Sequence, residues 1–381
     1  MANILTKFIP DLQMALDEVS RELVGFIPSV ARNSAAERAA LNESIIVPVS
    51  TAIAAGDVAP AMAVPEPGDF APDYEEIKIT KSRNAGFGLT GEEYRGLDNG
   101  LGANYFVAEN FKQAVRTLCN EVEADVAMAA ALGSSRAYGT AGTTPFGSDL
   151  AATAELHKIL GDNGAPVADR SLIIDTTAGV NLRKLTQLTN VGAAGTSMTL
   201  RDGELLPLHG FSIKESAYVA KPEIGDATTL TVAAAGVGAT EIEISSIASG
   251  ALKVGDIITF AGDPNQYVVA SVPAVFTTGA KFKIAKPGLR KAVEASSAVT
   301  VVASAVRNVG FCRNAIQLVT RAPALPGGSD AAVDSTMLTD ARSGLSFEVR
   351  VYQGYRKMRA EVALAWGVKA IKPEHIATLL G

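Results

Sequence analysis

Residues 104–132 read NYFVAENFKQAVRTLCNEVEADVAMAAAL, and this stretch decides the fold. Phe111, Val115, Leu118, Val122, Val126 and Ala129 recur at three- and four-residue steps, so they form one apolar stripe on a helix, with Gly133 following as a C-cap signal. At 1.5 Å per residue such a helix spans roughly 40 Å, longer than a typical globular helix. It reads as a beam around which a broad, flat subunit is organised.

Upstream of the beam, Leu12, Leu16, Val19, Leu23 and Phe26 keep helical spacing from Pro10 onward, which predicts an amphipathic arm helix ended near Gly25 and Pro28. Ser44-Ile45-Ile46-Val47-Pro48-Val49 reads as a strand, residues 51–72 are rich in Ala, Gly and Pro, and Tyr74-Glu75-Glu76-Ile77-Lys78-Ile79-Thr80 reads as a second strand. The pair predicts an extended hairpin with a long tip. Its second strand carries charge on one face and little apolar bulk, so the hairpin is expected to lie on something outside its own subunit.

Downstream, a helix over Leu150 to Leu160, a buried strand Ser171-Leu172-Ile173-Ile174 and a helix opened by Asp175-Thr176-Thr177 make an α/β unit, with a turn and strand leading out between Leu205 and Val219. From about Pro222 to Val302 the composition shifts to short alternating runs such as Glu241-Ile242-Glu243-Ile244 and Lys281-Phe282-Lys283-Ile284. Within them Leu252-Lys253-Val254-Gly255-Asp256-Ile257-Ile258-Thr259-Phe260 supplies a Gly-Asp turn into a strand, as in small barrels. The chain then returns to mixed structure, with strands Ser346 to Tyr352 and Lys357 to Trp366 joined around Gln353-Gly354-Tyr355, and a short helix expected after Pro373.

Composition narrows the function. At 381 residues the chain exceeds one simple core, and 48% hydrophobic against 19% charged residues makes it a folding chain. Aromatics are only 6%, so broad aliphatic and backbone contacts are expected in place of large aromatic anchors. A net charge of -6 without a Lys/Arg stripe argues against tight nucleic-acid binding. Cys119 and Cys312 make no disulfide framework, the N-terminus lacks an unbroken apolar signal core, and no stretch reaches bilayer-spanning length. The expectation is a soluble protein made in a reducing cytoplasm.

Chemistry is thin. Gly86-Phe87-Gly88-Leu89-Thr90-Gly91 has the spacing of a dinucleotide loop, but the preceding strand is charged and Gly96, Gly100 and Gly102 interrupt the helix it would need; it reads as a flexible return toward the beam. His157, His209 and His375 have no neighbouring ligand at metal spacing. On the beam, Glu121 and Asp125 share a face while Glu123 points away, and all three read as solvated helix charge. No catalytic, cofactor-binding or metal-ligating residue is expected.

Three segments carry a resemblance. The run Val362-Ala363-Leu364-Ala365-Trp366-Gly367-Val368-Lys369-Ala370-Ile371-Lys372-Pro373-Glu374 resembles the closing strand, Gly-containing turn and Lys-Pro-Glu segment of tailed-phage coat proteins with the Hong Kong-type capsid fold, closest to the podoviral branch with an inserted β-barrel domain. Arg307-Asn308-Val309 through Asn314-Ala315-Ile316-Gln317-Leu318-Val319 resembles the strand after that insertion, and Lys253 to Gly262 a strand pair inside it. The resemblance covers roughly two thirds of the chain.

It implies an α+β fold divided into an N-terminal arm (1–43), an extended loop (44–91), a peripheral domain (92–137 and 338–381), an axial domain (138–221 and 304–337) and an inserted β-barrel domain (222–303), the last shorter than in the family. It implies a non-enzymatic major capsid protein without cofactor, assembling as hexamers and pentamers into an icosahedral shell, within a virion built in the bacterial cytoplasm. Expected partners are further copies of itself, a scaffolding protein, a portal protein and packaged double-stranded DNA held without sequence-specific binding; no membrane is involved. The absence of a long helical prosegment before the arm implies a separate scaffold and no protease maturation. Inter-subunit contacts are expected from Asp57, Met62, Glu66, Phe70, Glu75, Glu76, Lys78 and Lys81. Some relatives join a loop Lys to an Asn of a neighbour, and Lys78 or Lys81 stands where such a Lys could be. The alternatives are an encapsulin-like compartment shell and an α/β enzyme with a β accessory domain, binding a small molecule at Gly86 to Gly91 or near Asp175.

Overall fold

A computed structural model of the chain describes residues 25–49, 55, 60, 73–98, 103–195, 198–203, 205–328, 330–340 and 344–381. In chain order, strands β1 (Ala31–Ala39), β2 (Ser44–Val49), β3 (Asp73–Lys78) and β4 (Lys81–Thr90) precede helices α1 (Gly91–Asp98) and α2 (Ala103–Leu132). After them come β5 (Arg136–Tyr138), α3 (Ala151–Asp162), β6 (Arg170–Ile174), α4 (Thr176–Lys184), short helical turns, and β7 (Phe211–Glu215). Strands β8 (Leu230–Val232), β9 (Glu241–Ser246), β10 (Ile257–Phe260), β11 (Gln266–Ser271), β12 (Lys281–Ile284) and β13 (Ser297–Val301) come next. The chain closes with β14 (Arg307–Cys312), β15 (Ile316–Pro323), β16 (Ala332–Thr339), β17 (Ser346–Gly354), β18 (Lys357–Ala370) and β19 (Ile376–Leu380). The architecture is mixed α+β, rich in strands.

The beam forms as its spacing predicts: Phe111, Val115, Leu118, Val122 and Val126 are buried and Ala129 is half-buried. They pack on a six-stranded sheet ordered β1-β15-β18-β17-β16 with β4 on the free side of β18, and Phe347, Val349, Val362, Leu364 and Trp366 come up from it into the same core. The Phe87 and Phe111 rings meet edge to face at 4.9 Å, fixing β4 beneath the helix. A second sheet runs β5-β19-β14-β6-β7, with α3 and α4 supplying Leu156, Leu160, Ala178 and Leu182 to its core. Asp175 caps α4 by accepting from the Thr177 amide, as the Asp-Thr-Thr run predicts.

Strands β8 to β13 close a ring of pairings, β10-β13-β8-β9-β12-β11 and back to β10, around their own apolar cluster including Val232, Ile244, Phe260, Val269 and Phe282. The ring joins the second sheet through β11, whose Gln266 and Tyr267 pair with Ala137 and Arg136 of β5. Gly255, at φ +88°, makes the turn before Ile257 that the Gly-Asp pair predicts, and the Asp256 carboxylate accepts from the Lys253 and Gly225 amides.

Several expectations are corrected. The glycine run is no flexible loop: residues 81–90 form ten-residue strand β4, paired along β18 from Lys81↔Trp366 to Thr90↔Lys357. A Cβ on Gly86 would stand 3.1 Å from the Ala360 carbonyl and one on Gly88 3.2 Å from that of Met358, so these glycines serve close strand pairing. The helix expected after Pro373 is confined to one 3-10 turn, Pro373–His375, and Ile376–Leu380 form a strand because β14 and β5 flank them and all five side chains are buried. Strand β1, parallel to β15, appears within an arm whose sequence carries no strand signal. Residues 10–24 of the predicted arm helix lie outside the described residues, and Ile27–Ser29, near its expected end, form a 3-10 turn.

Candidate assembly interface

Strands β2 and β3 form a two-stranded ribbon in register from Ser44↔Lys78 to Val49↔Asp73, and among the described residues they pair with no other strand. Alternation divides the ribbon into two faces. One carries Ile45, Val47, Glu75 and Ile77, and Val47, Ile77 and the following Ile79 are buried with Ala39, Val319 and Ala365. The expectation that the whole hairpin must find cover elsewhere is therefore corrected for this face, which is seated on its own subunit. The seat is tightened where β18 bears Gly367: a Cβ there would collide with the Lys78 carbonyl. Backbone bonds from Thr80 N to Trp366 O (3.0 Å), Ile79 N to Glu43 O (3.0 Å) and Asn42 N to Ile79 O (2.9 Å) fix the ribbon's root.

The other face carries Ser44, Ile46, Pro48, Tyr74, Glu76 and Lys78, every one exposed. Ile46 is 61% and Tyr74 59% exposed, and the register sets them on neighbouring rungs, Ile46↔Glu76 and Pro48↔Tyr74. Ile46, Pro48 and Tyr74 thus form a small apolar group on this face, flanked by Ser44, Glu76 and Lys78.

The expected contact residues separate accordingly. Glu76 and Lys78 lie on the outer face. Glu75 faces inward and pairs with Lys369 at 2.6 Å. Lys81 is turned into the subunit, its Nζ 2.8 Å from the Asp125 carboxylate and 5.9 Å from the centre of the Trp366 ring, whose Nε1 donates to the same carboxylate at 2.8 Å. Asp57, Met62, Glu66 and Phe70 lie outside the described residues. Ile46 and Tyr74 were not picked out from sequence, although strict alternation along the two strands marks them as the partners of a buried row.

Strand β1 is held by charge. Arg38 of β1 grips Glu348 of β17 through both terminal nitrogens, at 2.5 and 3.0 Å; Glu348 is 2% exposed and also faces Arg350 at 3.6 Å. The hydrogen bond to Glu348 holds the Arg38 guanidinium above its ordinary pKa. Glu123 departs most from the sequence reading: it is not solvated helix charge but 1% exposed. Its Oε1 accepts from the Gly25 and Phe26 amides (both 2.8 Å) and Ser216 Oγ (3.0 Å), and its Oε2 from the Ile27 amide (3.0 Å).

Thr153 Oγ1 lies 2.6 Å from His209 Nδ1 and 2.8 Å from the Leu150 carbonyl, which accepts from it. Burial lowers the His375 pKa. Among the described residues no cluster of three His, Cys, Asp or Glu side chains could hold a metal, and no helix is long and apolar enough to cross a membrane.

No protein-family model matches the sequence, and no curated protein matches it either. Solved structures, capsids among them, align with most of its length. The capsid of cyanophage P-SCSP1u aligns over 94% of this chain and 88% of its own, with a TM-score of 0.49 and 13% identity. The mature capsid of bacteriophage PhiM1 aligns over 93% and 86%, with a TM-score of 0.44 and 11% identity. A virus-like particle from Pyrococcus furiosus aligns over 98% and 99%, with a TM-score of 0.42 and 10% identity.

Proposed function

We propose that this chain is the major capsid protein of a tailed bacteriophage, a non-enzymatic subunit that tiles an icosahedral shell as hexamers and pentamers around double-stranded DNA. The observation that carries this reading is the ribbon: one face seated on its own body, the other presenting Ile46 and Tyr74 to whatever lies beside it. A subunit that must overlap its neighbours needs such a projection, a stiff beam to anchor it and an arm tied across a sheet, because contact area spread over several neighbours closes a symmetric shell. In this reading residues 1–43 are the arm, 44–91 the extended loop rooted through β4, 92–137 with 338–381 the peripheral domain, 138–221 with 304–337 the axial domain, and 222–303 an inserted β-barrel in a Hong Kong-type fold. Scaffolding and portal proteins are the partners during assembly in the bacterial cytoplasm, and the DNA is enclosed without sequence-specific contacts.

The test is a double substitution, Ile46→Lys with Tyr74→Lys, which leaves every buried side chain in place and sets a cation, not a second carboxylate, opposite Glu76. Surface changes of this kind stay within about 0.5 kcal/mol of wild-type stability. Wild-type protein, alone or with its scaffold, should give closed polyhedra or tubes by electron microscopy and sedimentation, and the double variant should remain a folded monomer. Normal shells from the variant would refute the interface. DNA inside the wild-type particles supports the phage reading, whereas a protein cargo would replace it with a cellular compartment.

A further inference from the structure

The turn Gly25–Val30 sits where the N-terminal arm enters the body, and it is built over a carboxylate. The Gly25, Phe26 and Ile27 amides and Ser216 Oγ all donate to Glu123 on α2. Phe26 stacks on Phe311 with centroids 6.2 Å apart, Ile27 and Val30 are fully buried, and Ser29 Oγ donates to the Gly25 carbonyl at 2.7 Å while accepting from Lys214 Nζ at 2.8 Å. The turn is therefore both the partner of the Glu123 carboxylate and part of what keeps water from it.

We infer that this turn is a conformational pivot, closed over Glu123 and able to lift as a unit, giving up four hydrogen bonds and the burial of Phe26, Ile27 and Val30 for hydration of the carboxylate. Two terms oppose each other: the four donors favour closure over the ionised group, and removing a carboxylate from water opposes it. Burial is the larger, so the Glu123 pKa in the closed state lies above its ordinary value. Lifting the turn rehydrates the group and returns it toward that value. The closed state thus binds the proton more tightly than the open one; closure is strongest below the ordinary carboxylate pKa and weakens as pH rises toward the raised one. The charged groups around the pivot are Lys214 and Glu215 of β7, Arg32 of β1, Arg313 after β14 and Asp340, with Cys119 one helical turn before Glu123. Glu215 is already paired with Arg183 at 2.5 Å.

The experiment is hydrogen–deuterium exchange by mass spectrometry on the full-length protein from pH 4 to 9, corrected for intrinsic rates, tracking the amides of residues 25–27. Wild-type protection should fall with rising pH by up to about tenfold per unit across the window set by Glu123, and then level off. In Glu123→Gln the same amides should show no such step. A second variant, Ser216→Ala, removes one donor only; it should keep the step and exchange faster at every pH. A pH-independent wild type, a step that persists in Glu123→Gln, or protection that rises with pH would each overturn the inference. The wild-type titration decides the matter even if Glu123→Gln does not fold.

Discussion

Replacing Gly367 by Ala should unseat the ribbon without unfolding the subunit. Gly367 lies in β18 opposite Val319 of β15, and its missing side chain is where the Lys78 carbonyl passes, with Ile79 Cα 3.3 Å from the position a Cβ would take. The strand is held on both sides, so the ribbon's root must give way. Overpacking of this kind costs about 1–3 kcal/mol, and loss of the Thr80 to Trp366 backbone bond adds about 1 kcal/mol, for a total of about 2–4 kcal/mol. The cost stays local because Val47, Ile77 and Ile79 belong to a small apolar cluster separate from the main core under α2. Hydrogen exchange measures it directly: amides of residues 44–49 and 73–80 should exchange about 30 to 800 times faster, with those of residues 107–130 unchanged. Unchanged ribbon exchange in a folded Gly367→Ala protein would refute the seat. Equal loosening of α2 would show that the ribbon is not a separate cooperative unit.

Two further outcomes are expected. Arg38→Ala should cost about 3–5 kcal/mol in urea denaturation, since it strips the 2%-exposed Glu348 carboxylate of both guanidinium hydrogen bonds and leaves it only Arg350 at 3.6 Å, whereas Glu348→Ala should cost less because Arg350 keeps Asp330 at 2.9 Å and Arg38 is one-third exposed; equal losses would show that the charge left on Glu348 is not what costs stability. Burial pushes the Cys119 thiol up to about 12, so at pH 8 only about one molecule in ten thousand carries the thiolate, and Cys119 should resist alkylation until urea unfolds the chain; fast labelling of native protein at Cys119 would contradict its burial.

The elements that could be read from sequence are those whose signal is local. The stripe along α2, the alternation of β2, β3 and β9, the Asp175 cap and the Gly-Asp turn at 255–256 each depend on neighbours within a turn or a strand, so period and side-chain chemistry suffice. Of the residues expected at contacts, Glu76 and Lys78 are on the open face of the ribbon, while Glu75 and Lys81 pair with Lys369 and Asp125, partners that sequence spacing does not reveal.

Tertiary structure decided the rest. Ala31–Ala39, rich in helix formers, became a strand because the edge of β15 was free to pair with it. Ile376–Leu380 became a strand because β14 and β5 left one place between them. The glycines of β4 were fixed by the approach of β18, some 270 residues away. Glu123, whose place on the beam reads as solvent, was buried because three amides from the arm and a hydroxyl from beyond β7 converge on it. Periodicity records which face of an element is apolar; where a backbone edge or a carboxylate finds its partner depends on which distant segments fold against it.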